Sequence, residues 1–229
     1  MKKRKWFYAE LDKPLRIVSK GMLSKQYSDD CADGFILSNV SDEGISGRYI
    51  ERKEGVEKVL DPFGKVTQRD YIEYCSVKFL LQEGSKTGLE LSEYPRSLKG
   101  FVREMVEAFG FGGVLSPIQV NPLHWVENIS RCVDGVSVDW MSASGINVDN
   151  KSLAKVIIKG GAADKSFDSF LSGRQATVEE VRCLITHDGN VYKCRLLKGA
   201  VAYLDGDAGK EDMFGIIRNA LNASIISSM

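Results

Sequence analysis

The chain has 229 residues, 43% apolar and 27% charged side chains, and a formal net charge of zero. That length holds one large domain or two small ones, and that apolar fraction supports a packed core and excludes wholesale disorder. No apolar run approaches the ~20 residues of a membrane helix. No apolar stretch follows the basic start MKKRKWFY either, so neither a membrane segment nor a signal peptide is expected and the cytoplasm is the compartment indicated.

In chain order, residues 2–20 read as a basic start, Lys2, Lys3, Arg4 and Lys5, feeding a short aromatic strand, and residues 21–33 as loop or a weak helical turn. From Gly34 the pattern turns to β. FILSNV and ISGRYIERK flank the turn Ser41-Asp42-Glu43-Gly44, and Asp61-Pro62-Phe63-Gly64 marks a second turn, between two short strands. The strand Tyr74–Leu81 puts Cys75, Val77, Phe79 and Leu81 on one face. A helix is expected from Pro95 to Gly110, with Leu98, Phe101, Val102, Met105, Val106 and Phe109 as its apolar stripe.

After FGFGG (109–113) come the strand VLSPIQV and a helix capped by Asn121 with Pro122 at its first position. The strand VSVDWM completes a β-α-β unit, and a turn near 141–145 would fold 134–149 into a hairpin. AKVII is a short strand before a Gly-, Ser- and Lys-rich loop. Asp188-Gly189 supplies the turn of the clearest hairpin, Val178–Thr186 with Val191–Leu197. A helix through Met213, Ile217, Ala220, Leu221 and Ile225 ends the chain, with Asp205 and Asp207 as capping candidates. The fold class is α+β: antiparallel sheets with a few packed helices, in a single domain or in two lobes, 1–110 and 111–229, divided near 109–113.

The chemistry is sparse. Five scattered cysteines form no CxxC pair, and two distant histidines do not build a His-rich site, so no cofactor or resident metal is expected. The glycine-rich loops 109–113 and 159–166 match neither a P-loop nor a dinucleotide fingerprint. Cations that could meet phosphates are Lys2, Lys3, Arg4 and Lys5; Arg96, Lys99 and Arg103 on the expected helix, where Arg103 and Glu107 would pair as surface charges; and Lys159, Lys165 and Arg174 around the second loop. Glu51-Arg52-Lys53 resembles a nuclease (D/E)xK triplet, but Asp42 lies about 30 Å along the same strand, too far to share a metal. The better nuclease set is Glu127, Asp139, Asp149 and Lys151, provided 134–149 turns back on itself. No GxSxG elbow is present.

The order of FYA (7–9), FLLQEG (79–84), Pro95, and IQV with NPL (118–123) resembles the RexA-type exclusion proteins of lambdoid prophages over residues 1–140. The matched positions are structural, so no functional residue carries over. The resemblance implies a non-enzymatic, dimeric DNA-binding protein encoded by a prophage or mobile element, and the basic side chains add the expectation that it acts in phage exclusion or defence by binding backbone rather than sequence. A metal-dependent nuclease, and an interaction module that senses or inhibits a phage or host protein, are the alternatives.

Overall fold

The computed structural model describes residues 1–149, 152–161, 163–171, 175–206 and 209–226. Its elements are β1 (Lys2–Glu10), α1 (Leu15–Leu23), β2 (Asp33–Val40), β3 (Gly44–Leu60), β4 (Val66–Gln82), β5 (Leu89–Glu93), α2 (Lys99–Phe109), β6 (Val114–Pro117), α3 (Pro122–Ser130), β7 (Gly135–Asp149), β8 (Ser152–Lys159), α4 (Ala163–Leu171), β9 (Thr177–His187), β10 (Asn190–Leu197), β11 (Val201–Asp205) and α5 (Lys210–Ile226). The fold is α+β and mostly antiparallel sheet. None of the described helices is long and apolar enough to cross a membrane. Two compact units divide the chain: a ribbon lobe, Ala9–Gly84 with Gly88–Leu115, and a three-helix lobe, Met1–Tyr8, Ser85–Thr87 and Ser116–Met229. Residues 1–8 thus belong with the C-terminal half, and the chain crosses for the last time at Leu115/Ser116, just past the glycines at 109–113.

In the ribbon lobe β2, β3, β4 and β5 are neighbours in that order. Both expected turns form. Ser41 Oγ accepts from the amides of Glu43 and Gly44, and Asp61 Oδ1 accepts from those of Phe63 and Lys65 while Gly64 takes φ 81°. Phe35, Tyr49, Phe79 and Phe101 make a tilted aromatic cluster with centroids 5.3–6.0 Å apart. The helix begins at Lys99, not Pro95, and Leu98 at its N-cap makes no side-chain cap bond. The preceding Tyr94–Leu98 is irregular, so Arg96 stands off the helix. The buried stripe is Phe101, Glu104, Met105 and Phe109, while Val106 is exposed. Glu104 tolerates burial because Lys25 and Arg103 both bond its carboxylate. Burial raises its pKa, but the two cations win and hold it below the usual carboxylate range. Helix α1 was hidden in a segment read as strand, loop and weak turn, although Leu15, Val18 and Met22 have helical spacing and are buried.

The larger surprise is length. The meander of short strands is a hairpin of two 17-residue strands paired from Gly44↔Gln82 to Leu60↔Val66. Beyond Arg52 on β3 and before Lys78 on β4, the registered pairing is only with each other, which leaves a two-stranded ribbon about 25 Å long.

In the three-helix lobe the sheet order is β1-β11-β10-β9-β7-β8. The hairpin β9–β10 turns at Asp188 (φ 48°) and Gly189 (φ 71°), as the Asp-Gly pair requires. Asn121 caps α3 by accepting from the Leu123 amide, with Pro122 in the first turn. One face of this sheet is packed by α3, α4 and α5: Trp125 and Ile129, Ala163 and Phe167, and Met213, Ile217 and Leu221 join Val138, Met141, Val181, Cys183, Cys194, Leu196, Ala202 and Leu204 in one core. Trp6 and Trp125 meet edge to face at 5.8 Å, and Trp125 donates to the Ile217 carbonyl at 2.8 Å.

Four expectations here are corrected. The hairpin within 134–149 does not form, because β7 runs unbroken over 15 residues and Gly145 (φ 74°) sits at an irregularity in its pairing with β8 rather than in a turn. The strand expected to reach Val120 stops at Pro117; the adjacency of the two β-α-β strands, which the sequence leaves open, is absent, since β6 is not a neighbour of β7. The loop after Lys159 holds helix α4. Asp205 ends β11 instead of capping α5, and Asp207 lies outside the described residues.

Candidate nucleic-acid interface

Strand alternation divides the basic N-terminus between the two faces of the three-helix lobe's sheet. Lys2 and Arg4 sit opposite Leu204 and Ala202, on the helix-covered face. Both bond Glu211 of α5, and the Arg4 guanidinium lies 5.0 Å from the Phe214 ring centroid. Two of the four expected phosphate contacts are therefore fastened to a helix. Lys3 and Lys5 face the other way, opposite Tyr203 and Val201. Burial lowers the Lys5 pKa, and its ammonium sits 5.1 Å from the Phe7 ring.

The face that Lys3 joins carries none of this lobe's described helices. Its register is informative, since directly opposed residues on neighbouring antiparallel strands share a face. Lys3 opposes Tyr203, Tyr203 opposes Arg195, Arg195 opposes Arg182, Arg182 opposes Trp140, and Trp140 opposes Lys159. One row across six strands thus presents four cations and two aromatic rings over about 24 Å, at roughly 4.8 Å per strand. Arg182 lies 4.3 Å from the Trp140 ring centroid and Arg195 5.1 Å from that of Tyr203.

Glu180 organises the middle of the row. It accepts from Arg182 Nε at 2.8 Å and Arg195 Nη2 at 2.7 Å. Arg195 Nε also lies 2.7 Å from Oε1 without the alignment of a hydrogen bond. Burial would raise the Glu180 pKa, but the two guanidiniums outweigh it and hold the carboxyl below its ordinary value. One carboxylate is shared by the two guanidiniums, so this central pair keeps a formal charge of +1.

The remaining expected cations are dispersed. Lys165 is exposed on α4, whose buried residues pack the opposite face from Lys159, and Arg174 lies outside the described residues. Arg96, Lys99 and Arg103 belong to the ribbon lobe. There Arg103 contacts Glu104 and Asp33 rather than Glu107, and Glu107 pairs with Lys25.

The nuclease set is not brought together. Glu127 is exposed on α3, on the helix-covered side, and Asp139 is exposed in a β7 irregularity where its carbonyl accepts from Gly160. Asp149 lies ten positions further along the same strand, about 30 Å away, and Lys151 lies outside the described residues. A different group, Asp134, His187 and Asp188, has metal-ligand spacing at the β9–β10 turn. Asp134 already accepts the Asp188 amide at 2.9 Å there, so the cluster has a sufficient role in fixing the turn.

Arg182, Arg195, Trp140 and Tyr203 escaped the sequence reading. The alternation of Arg182, Arg195 and Tyr203 within EEVRCL, YKCRLL and AYL was visible; the irregularity at Asp139, which turns Trp140 away from the core face that Val138 occupies, and the register that aligns the row were not. No protein-family model matches the chain, and no curated protein matches it.

Proposed function

We propose that this chain is a non-enzymatic, sequence-nonspecific nucleic-acid-binding protein that uses the helix-free face of its three-helix lobe. The supporting observation is the Lys3–Tyr203–Arg195–Arg182–Trp140–Lys159 row, which offers charge to phosphates and ring surface to bases but no array of amide or acidic side chains for reading base edges. The DNA target and the setting in phage exclusion or antiviral defence come from the resemblance to RexA-type proteins. About four phosphate contacts give a salt slope of roughly −3 to −4, so affinity should drop roughly 50- to 250-fold between about 50 and 200 mM salt. A gel shift at about 50 mM salt tests the reading, and no binding of any DNA or RNA would sink it.

The ribbon favours a second, protein-binding role. Arg52–Tyr74, Glu54–Ile72, Val56–Asp70, Lys58–Gln68 and Leu60–Val66 share one face, on which Tyr74, Ile72, Val56, Leu60 and Val66 are all more than half exposed. Between Glu54 and Glu73 the ribbon carries five carboxylates against Lys58, Lys65 and Arg69, a net charge of −2 that repels phosphate. An exposed apolar face of this kind is completed by a partner surface of the same character, so the homodimer implied by the resemblance is the occupant we favour. Sedimentation of the wild type and of Ile72→Glu tests it, and a wild type that stays monomeric at high concentration contradicts it.

A further inference from the structure

We infer that the ligand class of this face is single-stranded nucleic acid, with Trp140 and Tyr203 as base platforms and Lys3, Arg195, Arg182 and Lys159 as backbone contacts. The inference rests on the nucleic-acid reading above and narrows it. A duplex offers a flat protein face its phosphates and hides its base faces in the stack, so two rings placed among the cations would have nothing to bind. A single strand exposes both, and aromatic side chains with arginine on an open sheet are the arrangement that such strands use.

The spacing agrees. Trp140 and Tyr203 are three strand intervals apart, about 14 Å, so a ligand reaching both must run across the strands along the row. It then passes Arg182 and Arg195, whose guanidiniums lie over one face of each ring, so that a base would stack on the other face or on the guanidinium plane itself. The Glu180 carboxylate holds both guanidiniums in place, and each arginine keeps further donors for a phosphate.

The protein carries its own reporter. Of its three tryptophans, Trp6 and Trp125 are fully buried against each other, whereas Trp140 is half-buried on this face. Intrinsic fluorescence of the full chain should be followed during titration with a deoxythymidine oligomer of about 12 nucleotides, within the site sizes of single-strand binders, and with a mixed-sequence duplex. The oligomer should quench saturably and bind at least tenfold tighter than the duplex. Trp140→Phe should bind the oligomer with the quench abolished, and Trp140→Ala should bind it roughly 5- to 100-fold more weakly. Duplex binding equal to or tighter than the oligomer, or oligomer binding with no change in emission, would overturn the single-strand inference and leave nucleic-acid binding standing. Failure of both ligands to bind would overturn both.

Discussion

Two antiparallel surfaces of this molecule, one largely half-buried and one exposed, have opposite chemistry. The row on the three-helix lobe stands on a sheet whose reverse side is a continuous core, and its charges hold each other through Glu180. The outer ribbon of β3 and β4 pairs only with itself, and it exposes Val56, Leu60, Val66, Ile72 and Tyr74 on one face. The difference teaches where to look for each kind of partner. Polar side chains fixed on a rigid support suit a charged ligand, while an apolar face on a marginal two-stranded hairpin suits a protein that completes it.

Backbone amide exchange gives the largest contrast. Amides of β9 and β10 should exchange only through near-global opening, and those of residues 53–60 and 66–74 should exchange at least about 10³-fold faster at concentrations low enough to keep the chain monomeric. Equal protection would mean the ribbon is already covered, for example in a dimer. Next comes binding. Arg182→Glu with Lys159→Glu should weaken oligonucleotide binding about 100-fold, whereas Ile72→Glu should change it less than about twofold. Anisotropy titrations would reveal a swap of those two outcomes, which would move the nucleic-acid site to the ribbon.

A smaller effect separates support from contact. The Glu180 carboxyl lies below its ordinary value of 4.5 in the folded state, so its stabilisation is present above that value and is lost as pH falls through the lowered one. Glu180→Gln should cost about 1 kcal/mol at pH 7 after allowing for solvent screening, with the difference from wild type vanishing in acid. Urea titrations at pH 7 and at low pH check this, and a cost that persists in acid would mean that the charge is not its source. Smallest of all, Val56→Thr and Ile72→Thr should shift the isolated chain's stability by less than about 0.5 kcal/mol, since both side chains are more than half exposed. A larger loss would show the ribbon face to be packed.

Local signals were legible in the sequence where a turn or cap decides the structure. The Asp188-Gly189 turn, the Asp61–Gly64 turn and the Asn121-Pro122 cap all form where their residues require. Lengths and alignments were hidden. Nothing between Arg52 and Leu60 announces that β3 continues without a sheet neighbour beyond β4, because its alternation of Glu, Val and Lys suits loop and exposed strand equally. Gly145 resembled a turn residue and serves an irregularity inside one strand. The candidate site suffered most, because a row across six strands is a property of register, which no local pattern encodes. Lys3, Lys5 and Lys159 were on the sequence-derived roster, yet Lys2 and Arg4, adjacent in sequence, point to the opposite face and bond Glu211.

The central claim is that the row is the nucleic-acid contact. It is tested most directly by the salt dependence of oligonucleotide binding in wild type and in Lys3→Ala/Lys159→Ala. The wild-type slope of log affinity against log salt should be about −3 for a single strand, falling to about −1.5 once two of the four cations are removed. An unchanged slope in the double variant would contradict it.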